Sequence, residues 1–380
     1  STHHGGRGRT AAVRRQPATP QRPQAVVFTL HPRPLRERNP VVWRGATPRI
    51  SSLEHFKDNH EAHPHRGSGR RHRRQRADVT VYGRLNTTLE VQKNFVADGE
   101  TQKVMQNNAS RIGFKGTEDL GGGLKANFLL EHRFNSDNGA QTNPEVFWAG
   151  DSWVGLEGGF GAIRLGRITS AAYFATADYV SLHNHDTGTS SDAFYTYLSS
   201  NANTAAYTTP NFSGFVGEIS ISAPEGKGGE HKVLNLAGNY DNGPLHLGAG
   251  YERNDADKKD QQFAIRGLYE LGAFTVGAYY QRSDIKSLGM GKRNALRLAG
   301  MYTMGASEFH ANVGWAGKWS NLPNSRATQF TLGYNYNMSK RTKLYAFYTR
   351  VNNASNVAYL TIAGTGVDPS ALALGIRHNF

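Results

Sequence analysis

The sequence contains no cysteine, so disulfide staples and thiolate metal sites are excluded. It has no run of about 18 apolar residues, which excludes an ordinary transmembrane helix but not a membrane barrel, where only alternate residues meet lipid. Tyrosine is missing from residues 1–77, although the chain holds 17. Net charge is almost missing from the remainder. Of 44 Lys+Arg and 30 Asp+Glu, the first 77 residues hold 17 and 4, leaving 27 and 26 for the rest. The formal charge of +14 therefore belongs to one segment, and a general nucleic-acid-binding surface is not indicated.

Eight of the 14 Pro and eight of the 15 His also fall in residues 1–77. The segment has no sustained period of 2 or 3.6 and reads as unfolded. Arg66, Arg70, Arg71, Arg73, Arg74 and Arg76 fit a solvated charge run better than a phosphate-gripping arm, and no nucleic-acid partner is expected. The genetic code offers another reading. Codons from His60 onward, read one nucleotide late, can spell Met-Lys-Arg-Thr-Leu-Ile-Ala, followed by mostly Ala, Val, Gly, Thr or Ile up to Arg76. That is the charged start, apolar centre and small-residue end of a secretory signal. Residues 1–76 are expected to be disordered or an out-of-frame translation concealing a signal peptide, and residues 77–380 to form the folded domain. As written, the chain shows no recognisable targeting peptide.

From Asp78 onward the sequence alternates with period 2. Phe330, Leu332, Tyr334, Tyr336 and Met338 share one face, and Leu372, Leu374, Ile376 and Phe380 share another. Alternation alone suits a membrane barrel with a wet interior or a soluble sandwich with its apolar face inward. Turn spacing separates them. Seven tight turn signals, from Asp119–Gly123 to Asn337–Lys340, alternate with eight longer polar stretches near 92–108, 134–144, 168–202, 223–231, 254–260, 283–291, 317–325 and 352–370. Seven plus eight connections join sixteen strands, and strict short and long alternation is what an up-and-down barrel requires. The predicted fold is all-β, a transmembrane 16-stranded antiparallel up-and-down β-barrel wide enough for an aqueous channel. Tyr251, Tyr269, Tyr279, Tyr280, Tyr334, Tyr336, Tyr345, Tyr348 and Phe380 are expected in aromatic girdles. The third long stretch, Ile168 to Asn203, is aromatic-rich and carries several carboxylates, so it is expected to be ordered and to fold into the barrel.

The stretches VTVYGRLN (79–86), SRIGFKGTEDLGGGLKA (110–126), WVGLEGGFGAIRLGR (153–167), YTTPNFSGF (207–215), YDNGPL (240–245), LGYNYNMSKRTKLYAFYTR (332–350) and GIRHNF (375–380) resemble the trimeric general porins of Gram-negative β-proteobacteria. The resemblance covers residues 78–380; residues 1–76 match nothing in that family. It implies a homotrimer in the cell outer membrane, an inward-folded third external loop, and a role for the terminal Phe380 in recognition by the barrel-assembly machinery.

Strand parity places Arg84, Arg111, Lys115, Lys125, Arg133, Arg164, Arg266, Arg297 and Arg377 in the lumen, with Glu131 as the main acidic counterpart. Arginine prefers a wet lumen in any case, because at the bilayer midplane it costs roughly 2–4 kcal/mol. A cluster does more, since a constriction with low-dielectric walls focuses the field of its charges. The expected constriction has Arg84, Arg111, Arg133, Arg164 and Arg167 on the wall, faced by Asp178, His183, Asp186 and Asp192 of the third loop. Arg167 is out of parity with Arg164, and its inward direction rests on the strand ending there. Many of the porins it resembles carry a further Arg before the WVGL strand, where this chain has Gly150 and Asp151. That departure weakens the basic cluster, and His132, beside Arg133, is expected to compensate partly when protonated.

Other constellations are weaker. His183, His185 and Asp186 lack an evident fourth metal ligand. Ser190, Ser191, His185 and Asp186 have no nucleophile elbow around them. GLEGGFG reads as a turn between strands rather than a dinucleotide fingerprint. The expected activity is passive diffusion of ions and small hydrophilic solutes, modestly favouring anions, with no catalysis, metal or cofactor. The expected partners are outer-membrane lipid, further copies of the chain, the assembly machinery and the permeating solutes. The alternative is an outer-membrane barrel acting as adhesin, receptor or structural anchor through its surface loops.

Overall fold

The computed structural model describes residues 78–180, 188–198, 202–224, 231–255 and 258–380, together with the backbone of Val26–Val27, which pairs in parallel with Val357–Ala358. The expectations for residues 1–76 otherwise lie outside the described residues.

Alternation, hairpin turns and closure build one barrel. Its strands are β1 (Asp78–Lys93), β2 (Thr101–Asn107 and Ser110–Gly121), β3 (Leu124–Phe134), β4 (Ser152–Gly158), β5 (Gly161–Arg167), β6 (Thr204–Thr208), β7 (Phe215–Ser222) and β8 (Val233–Asn242). They continue as β9 (Leu245–Asn254), β10 (Asp260–Leu271), β11 (Phe274–Ile285), β12 (Gly291–Met304), β13 (Ser307–Ala316), β14 (Ala327–Asn337), β15 (Thr342–Asn353) and β16 (Ser370–Asn379). Each pairs antiparallel with its sequence neighbours, and β16 pairs with β1 from Ser370↔Lys93 to Asn379↔Arg84, closing the barrel. Closure leaves no free strand edge, as hydrocarbon requires of a spanning sheet. Phe380 completes the seam: its N–H donates to Gly83 O at 3.1 Å and its O accepts from Gly83 N at 2.9 Å.

The exposed large apolar side chains form a belt on the outer wall. Val79, Val81, Leu296, Leu298, Phe330, Leu332, Leu372 and Leu374 are all exposed, Leu374 by 66%. The opposite parity carries buried polar residues such as Asn86, Glu90, Gln262, Gln281, Gln329 and Thr331. This polarity is inverted relative to a soluble sandwich, so the strands span a membrane. Tyr279 and Tyr345 fall on the inner parity and are 2% and 3% exposed, so they do not belong to the girdle.

Two loop limits differ from the sequence reading. The first hairpin stays paired up to Lys93 and from Thr101, so its loop is only residues 94–100. The second loop runs on to Asp151, because β4 begins at Ser152.

The irregularity in β2 resets the parity of the strand. Thr87 pairs with Asn107 but Arg84 pairs with Arg111, so two residues of β1 face three of β2, with Ala109 at φ 58°. A bulge of one residue switches every later side chain to the other face. Met105 points outward at odd parity before it; Ile112 and Phe114 follow outward parity after it, and Arg111 turns into the lumen. Deleting Ala109 removes the extra residue, so a regular strand carries Met105 and Ile112 outward and still places Arg111 inward. The expected result is a barrel that assembles and keeps the wild-type ion preference, read by heat-modifiable gel mobility and reversal potential.

Candidate pore constriction

The third loop lies against the inner wall because the wall is shaped for it. Asp151, immediately before β4, accepts from Thr169 N at 2.9 Å and Thr169 Oγ1 at 2.6 Å, fixing the start of the loop. Ser170 then caps a helical turn, Ala171–Tyr173, which continues as Phe174–Asp178. This limb packs directly on β9. A Cβ on Gly250 would lie 2.6 Å from Ala172 Cβ, and one on Gly248 would lie 2.1 Å from Ala175 O. Side chains at either site would lift the loop into the lumen.

Polar wall residues then satisfy the loop backbone, as burial demands. Asn235 accepts from Ala172 N at 3.1 Å, and Arg266 donates to Ala175 O at 2.9 Å while its guanidinium stacks 3.6 Å from the Tyr179 ring centre. Tyr179 OH donates to Asp241 at 2.9 Å. On the return limb Thr189 Oγ1 donates to Glu90 at 2.7 Å, reaching β1 across the lumen. Gln329 donates to Ser191 O at 2.9 Å and accepts from Ala193 N at 3.1 Å. Gln281 does the same for Thr196, both at 2.8 Å. Glu252, fully buried, accepts from Ser170 Oγ, from Asn235 at 3.0 Å and from Leu198 N at 3.0 Å.

Charge secures the return limb. Asp192 lies 3.0 Å from Arg297 and accepts from Tyr279 OH and, at 2.8 Å, from Phe194 N. Burial pushes its carboxyl up, but the Arg297 guanidinium and these two donors outweigh burial and hold it below the ordinary value of 3.8. Arg293 donates to Phe194 O and, at 2.9 Å, to Thr196 Oγ1. The same guanidinium lies 4.5 Å from the Trp319 ring centre and donates to Tyr359 OH at 2.5 Å. It therefore ties the third loop to the seventh and eighth loops, within a core that includes Phe95, Leu322 and Leu360.

On β1 to β3, three arginines share one register row. Arg84 pairs with Arg111, and Arg111 with Arg133, on adjacent strands about 4.8 Å apart. Arg133 binds Glu131 at 2.9 Å and Arg111 reaches the same carboxylate at 3.7 Å. Tyr82 OH also donates to Glu131, at 3.1 Å. The Arg111 terminal nitrogens are buried and make no hydrogen bond among the described residues. Charges clustered in this way on a low-dielectric wall concentrate their field on the inner face.

Known proteins carry the same architecture. A family model described as Gram-negative porin matches residues 74–356. The chain belongs to the Gram-negative porin family. Outer membrane porin protein 32 of Delftia acidovorans is 30% identical over 344 residues, 80% of this chain and 94% of that one. The major outer membrane protein P.IB of Neisseria meningitidis serogroup A is 28% identical over 343 residues, 80% and 94% of the two chains. An anion-selective porin from Comamonas acidovorans, solved as a structure, superposes with TM-score 0.68 at 26% identity, covering 80% of this chain and all of that one. The present porin is therefore an outer-membrane protein forming a channel for passive diffusion.

The porin distributes the residues singled out by sequence over several places. Arg84, Arg111 and Arg133 form the row. Arg164 turns toward β7, binding Glu218 at 2.6 Å, with its guanidinium 5.4 Å from the Trp153 ring centre. Arg167 donates to Ala149 O at 3.2 Å and lies within range of the Arg133 charge. Asp178 is half-buried at the end of the first limb. Asp192 does not face the β1–β5 arginines: its partner is Arg297 on β12. His183, His185 and Asp186 lie outside the described residues.

His132 does not join the lumen. Its outward parity puts it against Phe147, ring centres 4.2 Å apart, with Nδ1 2.5 Å from Phe147 O. The absent arginine also has a structural correlate, because a Cβ on Gly150 would lie 2.5 Å from Glu131 Oε1. Sequence reasoning missed Glu90, Glu218 and Glu252 on the inner wall and the anchor Arg293. Parity could have found them: Glu90 shares a face with Arg84, and Arg293 with Arg297. With these carboxylates the wall is less uniformly basic than expected.

Proposed function

We propose that this channel favours anions modestly, and that the Arg84, Arg111 and Arg133 row is its sorting element, with Arg167 beside it. The observation that carries the reading is that Arg111 and Arg133 share the single Glu131 carboxylate, leaving the row with excess positive charge. The likeness to an anion-selective porin supports it. Single-channel recording with one bulky ion at a time tests it. Replacing chloride by a bulky anion should lower conductance more than replacing potassium by an equally bulky cation, and the reverse order would refute the proposal.

The same reading includes a homotrimer, with the aromatic cluster His132, Phe147 and Trp148 on the outer wall as part of the contact between copies. Phe147 is 55% exposed in the single chain. It also includes Phe380 as the group read during barrel assembly. Native mass measurement should give three chains per particle.

A further inference from the structure

The lipid-facing belt is not smooth. Gly217, Gly238 and Ala249 are register partners on β7, β8 and β9, so three small residues stand side by side on the outer wall. With nothing projecting from them, the wall is dented. The resulting groove measures about 390 Å³ and is flanked by Tyr207, Ile219, Leu236, Tyr251 and Phe263. Tyr251 and Phe263 form its edge toward the long-loop end of the barrel and are themselves register partners.

The next residue along that row is charged. Phe263 pairs with Arg282 on β11, one strand or about 4.8 Å further round, and Arg282 pairs with Asn294 on β12. Lys292 lies two residues from Asn294 on the same outward face. Both cations are exposed, and neither has a carboxylate partner within ion-pair distance among the described residues. Of the carboxylates at this rim, Asp255 binds Arg253 at 2.9 Å, and Asp284, the register partner of Lys292, lies 3.8 Å from Lys286. An apolar groove thus runs up to an unpaired pair of cations at one boundary of the apolar belt.

We propose that this face holds one phosphate-bearing acyl lipid, with a chain in the groove over Gly238 and its phosphate on Arg282 and Lys292. Filling a groove in a bilayer gains packing rather than hydrophobic energy, so the dent alone would select nothing. The cations supply charge-assisted hydrogen bonds to phosphate oxygens, and the dent fixes where the chain below them lies. A second groove of about 600 Å³, between Phe274, Tyr302, Phe309 and Tyr334, lies at the short-turn end and has no outward cation in its lining. It serves as a control. The inference rests on the membrane location of the barrel and is independent of its ion preference.

Native mass spectrometry of the whole protein, released from micelles doped with phosphatidic acid or with diacylglycerol of the same chains, tests the proposal. The wild type should retain one phosphatidic acid in preference to diacylglycerol. R282A/K292A should weaken that retention about tenfold, as expected for losing at least one charge-assisted hydrogen bond. G238L should also weaken it, whereas G300L, which fills the other groove, should not. Heat-modifiable mobility and unchanged conductance establish that each variant is folded. Equal retention by G238L and wild type would overturn the proposal. So would displacement of the lipid by inorganic phosphate alone, or disulfide cross-linking of G238C between copies, which would make the face an interface between chains.

Discussion

Arg297→Ala should free the return limb of the third loop and raise single-channel conductance. The substitution leaves the Asp192 carboxylate buried without its cation, and breaking a buried pair from one side costs about 3–5 kcal/mol. The same change deprives Gln329 and Asn312 of their guanidinium donor, at 2.6 Å in each case, so the limb loses several contacts together. The double variant Arg297→Gln, Asp192→Asn should recover part of the loss, because no buried charge is then left unpaired. Conductance and open-channel noise check this; a wild-type trace from Arg297→Ala in a folded barrel would show that the limb is held by something else.

The pH dependence of that anchor follows from its sign. A carboxyl whose value is lowered by folding contributes stability above its unfolded value, and loses it as pH falls through the folded one. For Asp192, held below 3.8, the anchor is complete from mildly acid to alkaline solution and is lost only in strong acid. Conductance should therefore be flat between about pH 5 and 8 as far as this limb is concerned.

Neutralising the row should move ion preference most. Arg111→Gln with Arg133→Gln removes two charges of the inner wall and leaves Glu131 without either cation. A unit charge about 7 Å from a permeating ion contributes about 0.6 kcal/mol even at the dielectric of water. Two removals, acting oppositely on anion and cation, shift their ratio by roughly tenfold after screening by salt. The reversal potential should cross from the anion side to the cation side, and the shift should shrink at high salt. Arg164→Gln should do much less, since Glu218 already engages that guanidinium at 2.6 Å.

Much of the barrel was legible because period-2 alternation and turn chemistry are local. All sixteen strands and the alternation of short and long connections follow from residues close in sequence. The bulge at Ala109 was not legible, because nothing local separates a bulge from the loop that was expected to end at 108. Within the constriction, parity located Arg84, Arg111 and Arg133, because Ile112 and Phe114 mark the lipid face beyond the bulge. Parity could not say where the third loop would lie, because its contacts are with strands 60 to 140 residues away, such as Asn235 for Ala172 and Gln329 for Ser191. Asp192 was assigned to the wrong wall for that reason. His132 was misjudged for a simpler one: adjacent residues on a strand point to opposite faces, so a neighbour of the inward Arg133 faces out.

The central claim, a lumen whose arginine row sorts ions past an anchored loop, is tested most directly by the zero-current potential of the wild-type channel between two concentrations of potassium chloride. The row predicts a potential on the anion-permeable side that weakens as total salt rises. A potential on the cation-permeable side would contradict it.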